Sequence, residues 1–141
     1  MISLETARRL KAAGLEWQPR LNDFFAIPDR GLDDRVFVLA DLLATLEILR
    51  GRQVVAFQGA SEWALDNLVL EEVVWLPRED QLRLYLESAL IEIGRPGLRL
   101  VAGLGGYSCT ILIDGDALSF TGRLAEEAYA AALLYLLQPL Q

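Results

Sequence analysis

The chain has 141 residues, 53% apolar and 23% charged, with a formal net charge of -7. That length fits one domain able to bury roughly two thirds of its unfolded surface without metal or disulfide staples. The acid excess argues against a nucleic-acid partner, because that affinity comes chiefly from Lys and Arg displacing counterions. The chain has no histidine and one cysteine, so Ser-His and Cys-His catalytic pairs and Cys/His zinc sites are excluded. Chemistry is left to carboxylates, Lys11, tyrosines or a borrowed cofactor, and no cofactor motif is present. A lone cysteine cannot close an internal disulfide, which suits a reducing compartment.

The opening MISLETARRLKAAG has no apolar run behind a basic tip, so no secretory signal is expected. The longest uncharged apolar run, Ala128 to Leu137, is too short for a bilayer. We therefore expect a cytoplasmic protein without a membrane partner. The apolar surplus further suggests a covered surface, hence a homo-oligomer.

In chain order, Ser3 offers an N-cap to a first helix, with Glu5 in its first turn and Gly14 after its end. Phe24 to Ile27 and Val36 to Leu39 read as two strands around a charged loop. Leu42, Leu46 and Leu49 recur at helical spacing between Asp41 and Gly51, which predicts a second helix through Arg50. QVVAFQ reads as a strand, and SEWALDNLVL fits either a strand or a helical turn. Pro77 opens a third helix carrying Leu82, Leu86, Ala89, Leu90 and Ile93, which ends at Gly94.

Positions 98 to 121 predict a three-stranded meander with turns at the glycines of VAGLGGYSC and at Asp114-Gly115-Asp116. The glycine cluster lacks both the third glycine and the following helix of a dinucleotide fingerprint, and no P-loop Gly-Lys-Ser/Thr exists, so it reads as a hairpin loop. RLAEEAYAAALLYLLQ predicts a helix apolar on most faces, buried between layers or at a subunit contact. The sum is a single α+β domain over 1–141, with a largely antiparallel sheet of five to six strands covered by about four helices.

The stretches NDFFAIPDRGLDDRVFVLAD, EWALDNLVLEEVVWLPREDQL and EEAYAAALLYLL resemble those of a family of short uncharacterised bacterial proteins, some carrying a pilus-assembly label. The closing strands and Ala/Leu-rich helix also look like those of small phage-associated α/β sandwich domains. Neither resemblance implies a catalytic residue. The pilus label would imply a phosphate loop in its ATPase-like members, and this sequence departs from that pattern.

Candidate sites are few. Asp29, Asp33 and Asp34 could gather around Mg²⁺ or Ca²⁺, although Arg30 and Arg35 can pair them and the spacing is not an EF-hand's. The flanking Phe24, Phe25 and Pro28 offer a recognition loop. Glu71 and Glu72 could join Glu62 or Asp66 as an acid/base pair, against which stands a solvated surface. Trp17, Trp63 and Trp75 read as core, with Trp63 and Trp75 as the alternative lining of a pocket or a partner surface. Cys109 reads as a small buried thiol.

The leading functional expectation is a non-enzymatic, self-associating interaction or regulatory module, with an unidentified protein as a further partner. The alternative is a small-ligand binder or a metal-dependent hydrolase using Asp29, Asp33, Asp34 and Glu71. Charge alone adds a third, an acidic mimic of nucleic acid.

Overall fold

The computed structural model describes residues 1–40, 44–49, 51–57 and 67–138. The fold is α+β, with three α-helices and three separate three-stranded antiparallel sheets among those residues. The single sheet of five to six strands and the four helices expected from the sequence are not what forms. The chain divides into two compact units, Met1–Leu15 with Pro77–Gln141, and Glu16–Leu76.

The first unit contains every described α-helix. Helix α1, Leu4–Ala12, starts as its sequence suggests: the Ser3 hydroxyl accepts the Thr6 amide at 3.1 Å. Helix α2, Glu79–Glu92, buries Leu82, Leu86 and Leu90 at steps of four, while Ile93, expected on that face, is exposed just past the helix end. Strands β7 (Leu98–Gly103), β8 (Gly106–Ile113) and β9 (Asp116–Gly122) form the expected meander, with β8 central. Helix α3, Ala125–Leu137, packs against β8, β9, α2 and α1. That setting explains its composition, since Ala128, Ala130, Ala132 and Leu133 are all at most 1% exposed. Small Ala side chains let neighbours approach closely, and Leu133 and Tyr129 fill the space that remains.

In the second unit, strand β1 (Phe24–Ala26) lies between β2 (Phe37–Val38) and β6 (Val74–Leu76). Phe25, Ile27, Leu39 and Val73 form its core, with Trp17, Leu32 and Phe37 packed against them. A second sheet joins β3 (Ala44–Leu49), β4 (Arg52–Phe57) and β5 (Asn67–Val69), followed by a 3₁₀ turn over Leu70–Glu72.

Strand β3 corrects the second predicted helix. Leu46 and Leu49 share a helical face, yet Ala44, Leu46 and Ile48 also alternate with Thr45 and Glu47 at strand period. Pairing decides between the two patterns, because RQVVAF, rich in strand-forming residues, supplies a partner for every residue of ATLEIL, from Ala44 opposite Phe57 to Leu49 opposite Arg52. Gly51, with φ 77°, therefore turns a hairpin and does not end a helix. Asp41, the expected cap, lies outside the described residues, and so does the part of SEWALDNLVL preceding β5.

Candidate functional site

The acidic loop between β1 and β2 is shaped by its own groups. The Asp33 carboxylate accepts the Asp29 amide at 2.9 Å, where Asp29 has φ 65°, and the Arg35 amide donates to the Leu32 carbonyl at 2.9 Å. Leu32 anchors the loop on the aromatic core. Arg30 reaches outside the loop to Glu72 at 2.8 Å, and Arg52 pairs with Glu71 at 2.7 Å. Thus Glu71 and Glu72 each face an arginine across an exposed ion pair, and their expected companions Glu62 and Asp66 lie outside the described residues. Among the described residues no group of three or more Cys, Asp or Glu side chains is placed to hold a metal ion, and that includes Asp29, Asp33 and Asp34.

The aromatic candidates separate by burial. Phe25 is fully buried, its ring 5.6 Å from Trp17 and 5.7 Å from Phe37. Trp75 is also buried, in β6 opposite Phe25, so the two belong to the core and present no ring to a partner. Phe24 is half-buried, and Trp63 lies outside the described residues.

The sequence gives little notice of Asp23, a carboxylate only 1% exposed. It accepts the Trp17 indole N–H at 2.9 Å and the Arg20 amide at 3.0 Å, while its backbone carbonyl accepts the Leu39 amide at 2.8 Å. It is a structural tie between the entry to β1 and the chain after β2. The available signal is Trp17 itself, since a buried indole requires an acceptor and Asp23 is one of two acids near it in sequence.

Cys109 is fully buried in β8 facing α3, and burial pushes its thiol pKa up, the reverse of what a nucleophile needs. The glycine cluster is a hairpin loop: Gly103 pairs with Gly106 across Leu104-Gly105, and β8 follows directly. Gly106 has φ 130°, and a Cβ there would collide with the Gly122 carbonyl oxygen. Gly122 is equally constrained, for a Cβ on it would lie 2.5 Å from the Glu127 Cβ and 2.9 Å from the Ala128 amide. These glycines let the β8–β9 end meet the start of α3.

Two open clefts flank that junction. One, lined by Gly103, Ser108, Arg123 and Glu127, has its carboxylate engaged, because Glu127 accepts the Arg123 amide at 3.0 Å. The other, about 370 Å³, lies between α1, α3 and β9 and is lined by Thr6, Arg9, Phe120, Leu134 and Tyr135. Its aromatic wall is the Phe120–Tyr135 pair, with centroids 5.6 Å apart. Neither cleft contains the two carboxylates of an acid/base pair.

The outer sheet surface of this unit is open. Val101 and Leu112 are 46% and 57% exposed, and Leu104 at the hairpin tip is fully exposed. Alternate residues of β7 and β9 are exposed along their length. No helix among the described residues is long and apolar enough to cross a membrane.

Comparison of the chain with protein-family models, with curated proteins and with solved structures gave no match.

Proposed function

We propose that this chain is a non-enzymatic interaction module of the cytoplasm that associates with itself. The observation that carries the reading is the open three-stranded sheet of the first unit, covered by α3 on one face and exposed on the other. Edge strands display unpaired backbone donors and acceptors and so favour another strand as partner. The apolar surplus noted in the sequence is largely consumed by α3 inside one copy, which moves the expected contact from that helix to the sheet. The buried, unpaired thiol of Cys109 suits the reducing compartment.

The residues with chemical capacity support a binding role over a catalytic one. Asp33 shapes a loop, Asp23 ties two segments, and Cys109 is sealed from solvent. The hydrolase alternative would require Asp29, Asp33 and Asp34 to converge on one metal ion, and they do not.

Light scattering over a hundredfold range of protein concentration tests the reading. A mass rising above the 15.7 kDa of one chain is expected. A single-chain mass throughout would defeat it.

A further inference from the structure

We infer that the partner is a second copy of this chain, joined edge to edge along β9 in antiparallel register about Ser119; the inference rests on the self-association proposed above. The turn before β9 fixes which backbone groups are available. Asp114 and Gly115 have φ 51° and 85°, the type I′ geometry, and Ile113 pairs with Asp116 across them. In such a two-residue hairpin the flanking residues form a hydrogen-bonded pair, and bonded pairs recur at every second position. Asp116, Leu118, Phe120 and Gly122 therefore bond to β8, while Ala117, Ser119 and Thr121 direct their amides and carbonyls to the free edge. Among the described residues no other element accepts or supplies backbone bonds at these three positions.

Sequence and side chains select this edge and this occupant. Strand β7, the opposite edge, carries Arg99 as its second residue, a charge of the kind that protects edges from pairing, which leaves only Leu100 to Gly103 uncharged beyond it. From Ala117 to Gly122, β9 has no charge, no proline and no bulge in its register with β8. The strand is also self-complementary. With Ser119 opposite Ser119 of the second copy, Ala117 meets the second copy's Thr121, and the acid Asp116 meets its Gly122 and no like charge. On the face toward α3, half-buried Leu118 lies opposite the second copy's Phe120. Apolar cross-strand pairs of this kind add to the backbone bonds, and the Tyr135 ring, 5.6 Å from that of Phe120, extends their apolar contact. On the outer face Ser119 keeps its 2.8 Å bond to Thr110, so pairing demands no side-chain rearrangement there.

The test compares the solution mass of the full chain with that of Ser119→Pro. Proline is tolerated on an edge whose N–H faces outward, so the variant keeps its fold while losing the central bonds of the seam. The expected result is a twofold fall in mass from wild type to Ser119→Pro, with unchanged circular dichroism, while Val101→Lys on the sheet's outer surface in β7 retains the wild-type mass. Should Ser119→Pro lose its fold, the exposed pair Ala117→Lys/Thr121→Lys takes its place with the same expectation. A wild-type dimer that persists in the folded β9 variant overturns the β9 seam and leaves self-association standing. A wild-type monomer at every concentration overturns both. An association abolished by Val101→Lys and untouched by the β9 variants transfers the contact to β7 and likewise overturns the inference.

Discussion

Asp23, Asp33 and Cys109 each have a capacity for chemistry that the fold uses for something else. Asp23 is the costliest to remove: Asp23→Ala leaves the Trp17 indole and the Arg20 amide without this acceptor, and unmade buried bonds cost about 1–3 kcal/mol. Its denaturation midpoint should fall, followed conveniently by tryptophan fluorescence because Trp17 reports directly on the tie. Asp33 sets the Asp29 turn, so millimolar Mg²⁺ or Ca²⁺ should leave the melting temperature of wild type where it is. A rise lost in Asp33→Ala would restore the metal reading.

Cys109 supplies a pH dependence whose sign follows from burial. Its thiol pKa is raised by desolvation, so the folded state disfavours the thiolate more than the unfolded state does. That costs nothing below the unfolded thiol's pKa of about 8.5, and stability declines as pH rises from there toward the folded value. The pKa of Tyr129, raised first by burial and then by Glu79, adds to the decline at still higher pH. Urea midpoints measured from pH 8 to 10 should therefore fall more steeply for wild type than for Cys109→Ala. The native thiol should also resist alkylation until the protein unfolds.

At the scale of elements, the glycines separate turn chemistry from packing. Gly105 has no neighbour within 4 Å of an added Cβ and lacks positive φ, so Gly105→Ala should be nearly neutral. Gly122→Ala forces its Cβ against the Glu127 Cβ and the backbone amide of Ala128, and overpacking of that kind costs about 1–3 kcal/mol. Gly106→Ala should be at least as harmful, because it adds a strained φ to a collision with the Gly122 carbonyl. Thermal melting of the three variants distinguishes them. A destabilised Gly105→Ala would mean that the loop is held in a way its geometry does not show.

The same scale shows what the sequence could reveal. Helices α1 and α2 and the β7–β9 meander were legible because their signals are local: the Ser3 cap, leucines at steps of four, and Asp-Gly at a two-residue turn. Strand β3 was hidden because ATLEIL satisfies two periods and its pairing with β4 is what chooses between them. Separation into three sheets was hidden for the same reason, since strand counts say nothing of which edges stay unpaired. Among site residues, the burial of Cys109 could be read from its position in an alternating strand. Phe25 could not be told from half-buried Phe24, because alternation fixes which residues share a face and not which face is covered.

For the whole molecule, α3 and β9 divide the roles. An apolar helix suggests an interface when read alone, yet here β8, β9, α1 and α2 cover it within one copy. Among the described residues the edge of β9 is open, and its uncharged, self-complementary run from Ala117 to Gly122 gives that opening a specific partner. The most direct measurement is amide hydrogen exchange along β9 at two protein concentrations, one well below and one well above the association midpoint found by light scattering. Protection of the Ala117, Ser119 and Thr121 amides that appears only at the higher concentration is the predicted result. Rapid exchange of all three amides in the associated state would contradict the β9 seam.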